Sequence, residues 1–288
     1  MNLSFKNKKI LVTGGSGSLG RYLIKELLKN GVKDITSISR DEGLIKDAKE
    51  FLNSSRVNFV VGDINDPKTI KNILKDINIV YHTAAMKDVV FAENYPREAL
   101  KNNILGLLNL LDNSENVERF INVSSDKAIG VINCYGASKL LAEYLVKETN
   151  RFLKGDFINL RNPNFIGSRG SVLDVWKKQA KDRGKITLTD PEMTRFFITL
   201  SEAAKFIVEL SQKRVLDADK IYYPIDYTKK FKLEDLAEAF VNLYPTKVKI
   251  IRSGRRKGEK VHEDYVKKIP LLTIPELRQI LIENKLVP

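Results

Sequence analysis

Cysteine is almost absent: Cys134 is the only one in 288 residues, which excludes an intrachain disulfide and a multi-cysteine metal site. Histidine is nearly as scarce, with His82 and His262 alone, so no histidine-rich metal centre is expected. Long apolar runs are missing too. The opening MNLSFKNKKILVTGG passes from polar positions straight into a strand-like segment, without a signal peptide's apolar stretch. No later run is long enough to span a bilayer. A cytoplasmic protein with no membrane insertion is expected. Repeats, low-complexity tracts and long linkers are absent as well.

Positive charge, by contrast, is plentiful. Lys and Arg total 49 against 36 Asp and Glu, a net charge of +13 that favours anionic partners. The lysines are spread along the chain, and no aromatic-interleaved basic motif or recognition-helix pattern stands out. Phosphorylated small molecules are therefore expected rather than nucleic acid. With 43% apolar residues, the chain is long enough to bury a sizeable core.

The amino-terminal part alternates regularly. KKILVTGGSGSLGRYLIKELLKNG reads as strand, glycine-rich turn and helix, with Leu19, Leu23, Leu27 and Leu28 at helical spacing. DITSISR, VNFVVGDI, INIVYHTAA and ERFINVSS read as further strands, with helix-like segments between them, ALKNNILGLLNLLDNS among these. YGASKLLAEYLVKET is a helix, and DFINLRNPNFIG a strand with its exit loop. Such alternation predicts an α/β fold, a Rossmann-type doubly wound parallel sheet. After about residue 166 the regularity loosens. The expected division is a dinucleotide-binding domain over 1–165 and a smaller, mainly substrate-binding lobe over 166–288, some of whose segments return to the first.

The glycine-rich turn places Gly14, Gly17 and Gly20 between the first strand and first helix, with Ser18 and Leu19 inside it. Small residues let backbone approach a pyrophosphate, whose charge suits a helix amino terminus. At the end of the second strand, an acidic group would accept from a ribose 2′-hydroxyl, whereas an arginine accommodates a 2′-phosphate. The order here is Ser39, Arg40, then Asp41, which favours NADP, with NAD as the alternative. A surface Arg40–Asp41 pair is the plainer reading. Asp63 and Ile64 end the third strand, where an adenine would be met, and Ala84 and Ala85 follow the fourth. His82, at that strand's end, is expected to be structural.

Tyr135 and Lys139 are four residues apart and share a helix face. A tyrosine ionises near pH ~10 in water. A nearby ammonium lowers that value and makes the phenolate a usable base for a hydroxyl. The spacing is common on ordinary helices; after a dinucleotide loop and a VSS strand end it becomes specific. Eight or nine residues earlier lies a second charged pair, Asp126–Lys127.

TGGSGSLG, SRDE, HTAAMKDV, SSDKA, NCYGASK, GSRGSV, MTRFFIT and KGEKVHE run in order from Thr13 to Glu263. Together they resemble the extended short-chain dehydrogenase/reductases that modify nucleotide sugars. The match is most specific to the inverting UDP-N-acetylglucosamine 4,6-dehydratases of polysaccharide biosynthesis. The resemblance implies oxidation at C4 of the hexose with Tyr135 as base and Lys139 holding it. It also implies elimination of water across C5 and C6 by Lys127 as base and Asp126 as acid, with Ser125 their hydrogen-bonding neighbour. Asn103 and Lys87 are carried over as cofactor contacts, Lys87 also lying beside the sugar. Asn164, Arg169, Ser171, Arg195, Arg256 and Glu259 fall in segments like those that hold the nucleotide diphosphate and uridine. A UDP-sugar partner, no metal and a homo-oligomer follow from the same resemblance. Departures occur at Cys134, Asn162, Pro163 and Lys257. A 4-epimerase, which needs no elimination pair, and a non-catalytic NADP-binding protein remain as alternatives.

Overall fold

The computed structural model describes residues 4–214 and 216–287. The chain falls into two compact units, Met1–Asn162 with Ser201–Pro224, and Pro163–Leu200 with Ile225–Pro288.

In the first unit the strands are β1 (Lys9–Thr13), β2 (Asp34–Ser39), β3 (Val57–Val61), β4 (Ile79–His82), β5 (Arg119–Ser125) and β6 (Asp156–Asn162). The helices are α1 (Ser18–Lys29), α2 (Glu42–Leu52), α3 (Pro67–Leu74), α4 (Val89–Asn94), α5 (Pro96–Leu100), α6 (Gly106–Leu111) and α7 (Cys134–Thr149). Six parallel strands and the later β10 (Ile221–Tyr222) form one sheet in the order β10-β6-β5-β4-β1-β2-β3. The strand order reverses between β1 and β4, the place where such sheets take ligands at their carboxyl ends. All seven residues of β5 are buried, as a central strand covered on both faces requires.

Helix α1 turns Leu19, Leu23, Ile24 and Leu27 inward at the spacing read from sequence. The segment expected as one helix over ALKNNILGLLNLLDNS is instead α5 and α6 joined by a π turn, Lys101–Leu105. The wider turn brings Asn102, Asn103 and Ile104 inward as three consecutive buried residues.

The second unit contains β7 (Asn164–Ile166), α8 (Val172–Arg183), β8 (Lys185–Leu188), β9 (Thr194–Thr199), β11 (Lys229–Lys232), α10 (Leu233–Leu243), β12 (Lys249–Arg252) and α11 (Ile274–Glu283). The exit loop expected after β6 is itself strand β7, parallel to β9, which β11 flanks antiparallel. A two-stranded parallel sheet, β12 with β8, completes the strands. Trp176, Phe197, Phe231 and Phe240 fill the core of this unit. Each such ring adds about 1.5–3 kcal/mol of burial. Helix α11 starts in a capping box between Thr273 and Glu276.

Helix α9 (Leu200–Gln212) brings its chain back to the first unit, where Tyr81 donates to Ser211 Oγ at 2.7 Å. Among the described residues no helix is long and apolar enough to cross a membrane, and no His, Cys, Asp and Glu group is placed to hold a metal ion.

Candidate active site

The β1–α1 turn is built for close approach. Gly14 has φ +67°, its N–H donates to Ile38 O at 2.9 Å, and Gly17 N–H donates to Gly14 O at 2.9 Å. A Cβ on Gly14 would stand 2.9 Å from the backbone of Ala84, and one on Gly20 would collide with Gly14 O. Gly17 caps α1 with no side chain over the helix end. This uncapped, side-chain-free cradle fits the diphosphate of a dinucleotide.

At the end of β2, Ser39 Oγ accepts from Ser16 N–H at 3.3 Å, tying that strand to the turn. Arg40 donates to Asn102 Oδ1 at 2.7 Å and stands 3.7 Å from Asp63, while its side chain stays largely exposed. Asp41 is used otherwise: it caps α2 by accepting from Leu44 N–H at 2.9 Å. Partial burial raises the Asp63 pKa, but donors from Asn65 and the charges of Arg40 and Lys101 outweigh it and hold the carboxyl below its usual value. Ile64 is buried against Gly106. Ala84 N–H reaches Thr13 Oγ1 at 3.3 Å, whereas Ala85 and Lys87 are exposed.

Asn103, expected as a cofactor contact, has its side chain engaged within the protein. Its carbonyl accepts from Met86 N–H at 2.8 Å, and its amide donates to Met86 O at 3.0 Å and Ser138 Oγ at 2.9 Å. Both N–H donors are spent on fixing the loop after β4 to α7. Sequence could not reveal this, because the π turn that aims Asn103 inward has no residue signature.

Ser125, Asp126, Lys127, Tyr135 and Lys139 are brought together at the carboxyl end of β5 and the amino end of α7. Ser125 Oγ donates to Asp126 Oδ1 at 2.9 Å, and Lys127 Nζ donates to the same oxygen at 3.1 Å. The Asp126 side chain has no exposed surface. A 3-10 turn, Asp126–Ala128, carries this pair, and α7 begins with Asn133 accepting from Gly136 N–H at 2.7 Å. A side chain on Gly136 would run into Lys127 O, so the helix lies directly against the turn. Cys134 N–H donates to Glu93 Oε1 at 2.6 Å, a contact from α4 that sequence reading missed.

Tyr135 departs from expectation. Burial raises its pKa, Lys127 and a hydrogen bond with Ser125 lower it, Asp126 raises it, and the balance lies above the ordinary phenol value. The cation opposing the burial is thus Lys127 of the second pair. Lys139 Nζ donates to Val123 O at 2.8 Å; burial pulls its pKa down to about 8 against the opposing pull of Glu143. His82, buried beside Phe120 and bonded to Thr13 Oγ1 at 2.8 Å, is held neutral by burial and by Lys139, its pKa pushed down to about 3.

The expected nucleotide contacts all lie in the second unit, in three local groupings. Asn164 Nδ2 donates to Phe196 O and to Glu263 Oε2, both at 2.9 Å, and Arg195 Nε lies 3.6 Å from Glu263 Oε1. Glu263 therefore joins Asn164 and Arg195, and it was legible only as the last letter of KGEKVHE. Arg195 also donates to the carbonyls of Thr194, Lys260 and Val261. Exposed Arg169 lies just before α8, whose N-cap is Ser171, a residue with a buried hydroxyl that makes no cap hydrogen bond. Arg256 and Glu259 form a turn, Glu259 Oε2 accepting from Arg256 N–H at 3.4 Å.

Comparison with known proteins matches residues 10–284 to the family described as "Polysaccharide biosynthesis protein". An inverting UDP-N-acetylglucosamine 4,6-dehydratase of Campylobacter jejuni is 35% identical over 90% of this chain and 77% of that one. A UDP-glucose 4-epimerase of Rickettsia bellii is 34% identical over 91% of this chain and 78% of that one. The chain spans only 46% and 45% of two further curated relatives. Among solved structures, Pen from Bacillus thuringiensis superimposes with a TM-score of 0.91 at 27% identity, covering 99% of both chains. The chain belongs to the polysaccharide biosynthesis protein family, within the extended short-chain dehydrogenase/reductases.

Proposed function

We propose that the protein is an NADP-dependent 4,6-dehydratase that removes water from UDP-N-acetylglucosamine and inverts C5. The observation that carries this reading is Asp126 and Lys127 packed as a bonded pair into the same buried cluster as Tyr135. A simple alcohol oxidation or epimerisation needs only Tyr135 and Lys139. NADP, when bound, supplies the oxidising power at C4 and restores it at C6.

The residues divide the remaining work. Tyr135 takes the proton of the C4 hydroxyl as a phenolate, a form that the charge of Lys127 and the hydrogen bond with Ser125 favour against the burial that raises its pKa. A C4 ketone acidifies the C5 proton, so the next step needs one base and one acid. A proton passing from Lys127 to Asp126 along their 3.1 Å contact turns ammonium and carboxylate into amine and carboxylic acid. Lys127 then removes the C5 proton, and Asp126 gives its proton to the departing C6 hydroxyl as the C5–C6 double bond forms. In the second unit, Asn164, Arg169, Ser171, Arg195, Arg256 and Glu259 are assigned to the nucleotide diphosphate and uridine. Arg40, exposed at the end of β2 while Asp41 is occupied as a cap, supports NADP over NAD. Exposed Leu100, Leu105, Leu141 and Tyr144 support self-association.

The purified enzyme, given NADP and UDP-N-acetylglucosamine in heavy water, is expected to release one water and yield a 4-keto-6-deoxy sugar carrying deuterium at C5. A product of unchanged composition favours the 4-epimerase reading, which the Rickettsia relative supports; no product with loaded cofactor overturns both.

A further inference from the structure

The first unit buries an acid–base pair that the proposed reaction does not use. Glu143 sits one helical turn beyond Lys139 on α7 and is 4% exposed. Its carboxylate takes three donors: Ser124 Oγ at 2.5 Å, Arg161 Nε at 2.8 Å and Arg161 Nη2 at 2.5 Å. Ser124 and Arg161 are register partners on β5 and β6, so one carboxylate bridges the two strands near their carboxyl ends. The other arm of Arg161 donates to the Tyr223 hydroxyl at 2.9 Å. Glu143 O accepts from Asn159 Nδ2 at 2.9 Å, a second tether from α7 to β6.

Three consecutive residues of β5 thereby acquire separate tasks. Val123 O receives Lys139, Ser124 is held by Glu143, and Ser125 meets Asp126 and Tyr135. Whatever fixes Ser124 fixes the residues on either side of it. Lys139 also needs a counter-charge, since a buried ammonium tends to lose its proton. The titratable groups that act on Lys139 or feel its charge are Glu143 on α7 and His82 on β4; Tyr135 stands one helical turn before it, among the charges of Asp126 and Lys127, and Arg161 on β6 holds Glu143. His82 is neutral, and Glu143 is the anion that acts on Lys139.

We propose that Glu143, clamped by Arg161, is a positioning residue that keeps Lys139 cationic and in place beside Tyr135. Arg161 sets how much of the carboxylate's charge Lys139 feels. The inference rests on Tyr135 and Lys139 being the oxidising pair, and not on which nucleotide sugar they oxidise.

The test compares Glu143→Gln, Arg161→Gln and the double variant, which leaves no member of the pair charged. Lysine labelled at Cε is followed by NMR across pH, and the Lys139 signal is assigned by its loss in Lys139→Arg. Glu143→Gln is expected to lower the Lys139 midpoint by about one pH unit or more, and Arg161→Gln to raise it. The double variant is expected between wild type and Glu143→Gln. The alkaline limb of kcat/KM should move with these midpoints. A merely structural pair would reduce activity in both single variants without opposite shifts. Shifts in the same direction, no shift, or a double variant at or above wild type would overturn the proposal. The NMR measurement needs no turnover, so a wild-type protein that fails to convert UDP-N-acetylglucosamine sinks the reaction assigned above while the titration still decides the role of Glu143.

Discussion

Lys139 and Arg195 are both cations of the candidate site, one in each unit, and they are held in opposite ways. Lys139 is buried, spends one donor on a single carbonyl, and has its proton affinity pulled down to about 8. Arg195 spends its donors on three backbone carbonyls and leans on Glu263. The difference follows from what each group has to do. A group that takes part in proton transfer needs an adjustable charge, which burial supplies. A guanidinium stays charged at any working pH, so its geometry is what the surrounding backbone fixes. The candidate acid/base residues of this chain are thus concentrated in one cluster at a strand end, whereas the candidate anion contacts are spread over two strands, a helix start and a turn.

The sharpest way to break that contrast is Lys127→Ala. Turnover is expected to fall by roughly 10²–10⁴-fold while dinucleotide binding, followed by fluorescence, is retained. Unchanged turnover would remove Lys127 from the chemistry and revive the non-catalytic reading. The next effect concerns backbone fit. Gly136→Ala forces a methyl group against Lys127 O and is expected to cost about 1–3 kcal/mol in denaturant unfolding, with a loss of turnover. Gly170→Ala, in the second unit, meets no atom but must adopt a φ of +74°, so a smaller cost of about 1 kcal/mol is expected, with turnover nearly kept. Equal costs at the two positions would contradict the close packing at Gly136. Smallest should be Arg169→Ala: KM for the nucleotide sugar rises by about threefold with kcat unchanged. A fall in kcat instead would place Arg169 nearer the reacting atoms than the contrast allows.

The parallel sheet was legible because its signals are local. Strands β1 and β4 are short apolar runs, the glycine turn lies between β1 and α1, and Leu19, Leu23 and Leu27 keep helical spacing. Tyr135, Lys139 and the Asp126–Lys127 pair were legible for the same reason, being a few residues apart. What stayed hidden depends on distant partners. The return of α9 to the first unit rests on Ser211 meeting Tyr81, and on the buried Arg119 guanidinium reaching the carbonyls of Ser211 and Lys213. The saturation of Arg195 depends on carbonyls some 65 residues later in the chain. Glu143 was nearer to view, at the same four-residue step from Lys139 that Lys139 keeps from Tyr135. Its importance shows only when β6 brings Arg161 to it.

The contact between Gly136 and Lys127 O has a consequence for how such enzymes diversify. On the proposed reaction, the residues of both half-reactions share a backbone joint with no room to spare, so neither set can be re-aimed by shifting the helix or the turn alone. The side chains at 126 and 127, however, take no part in that contact, which the Lys127 backbone carbonyl makes. On the proposed mechanism, substitution at those two positions is a route by which a lineage holding this joint fixed gains or loses the elimination step while Tyr135 and Lys139 are kept.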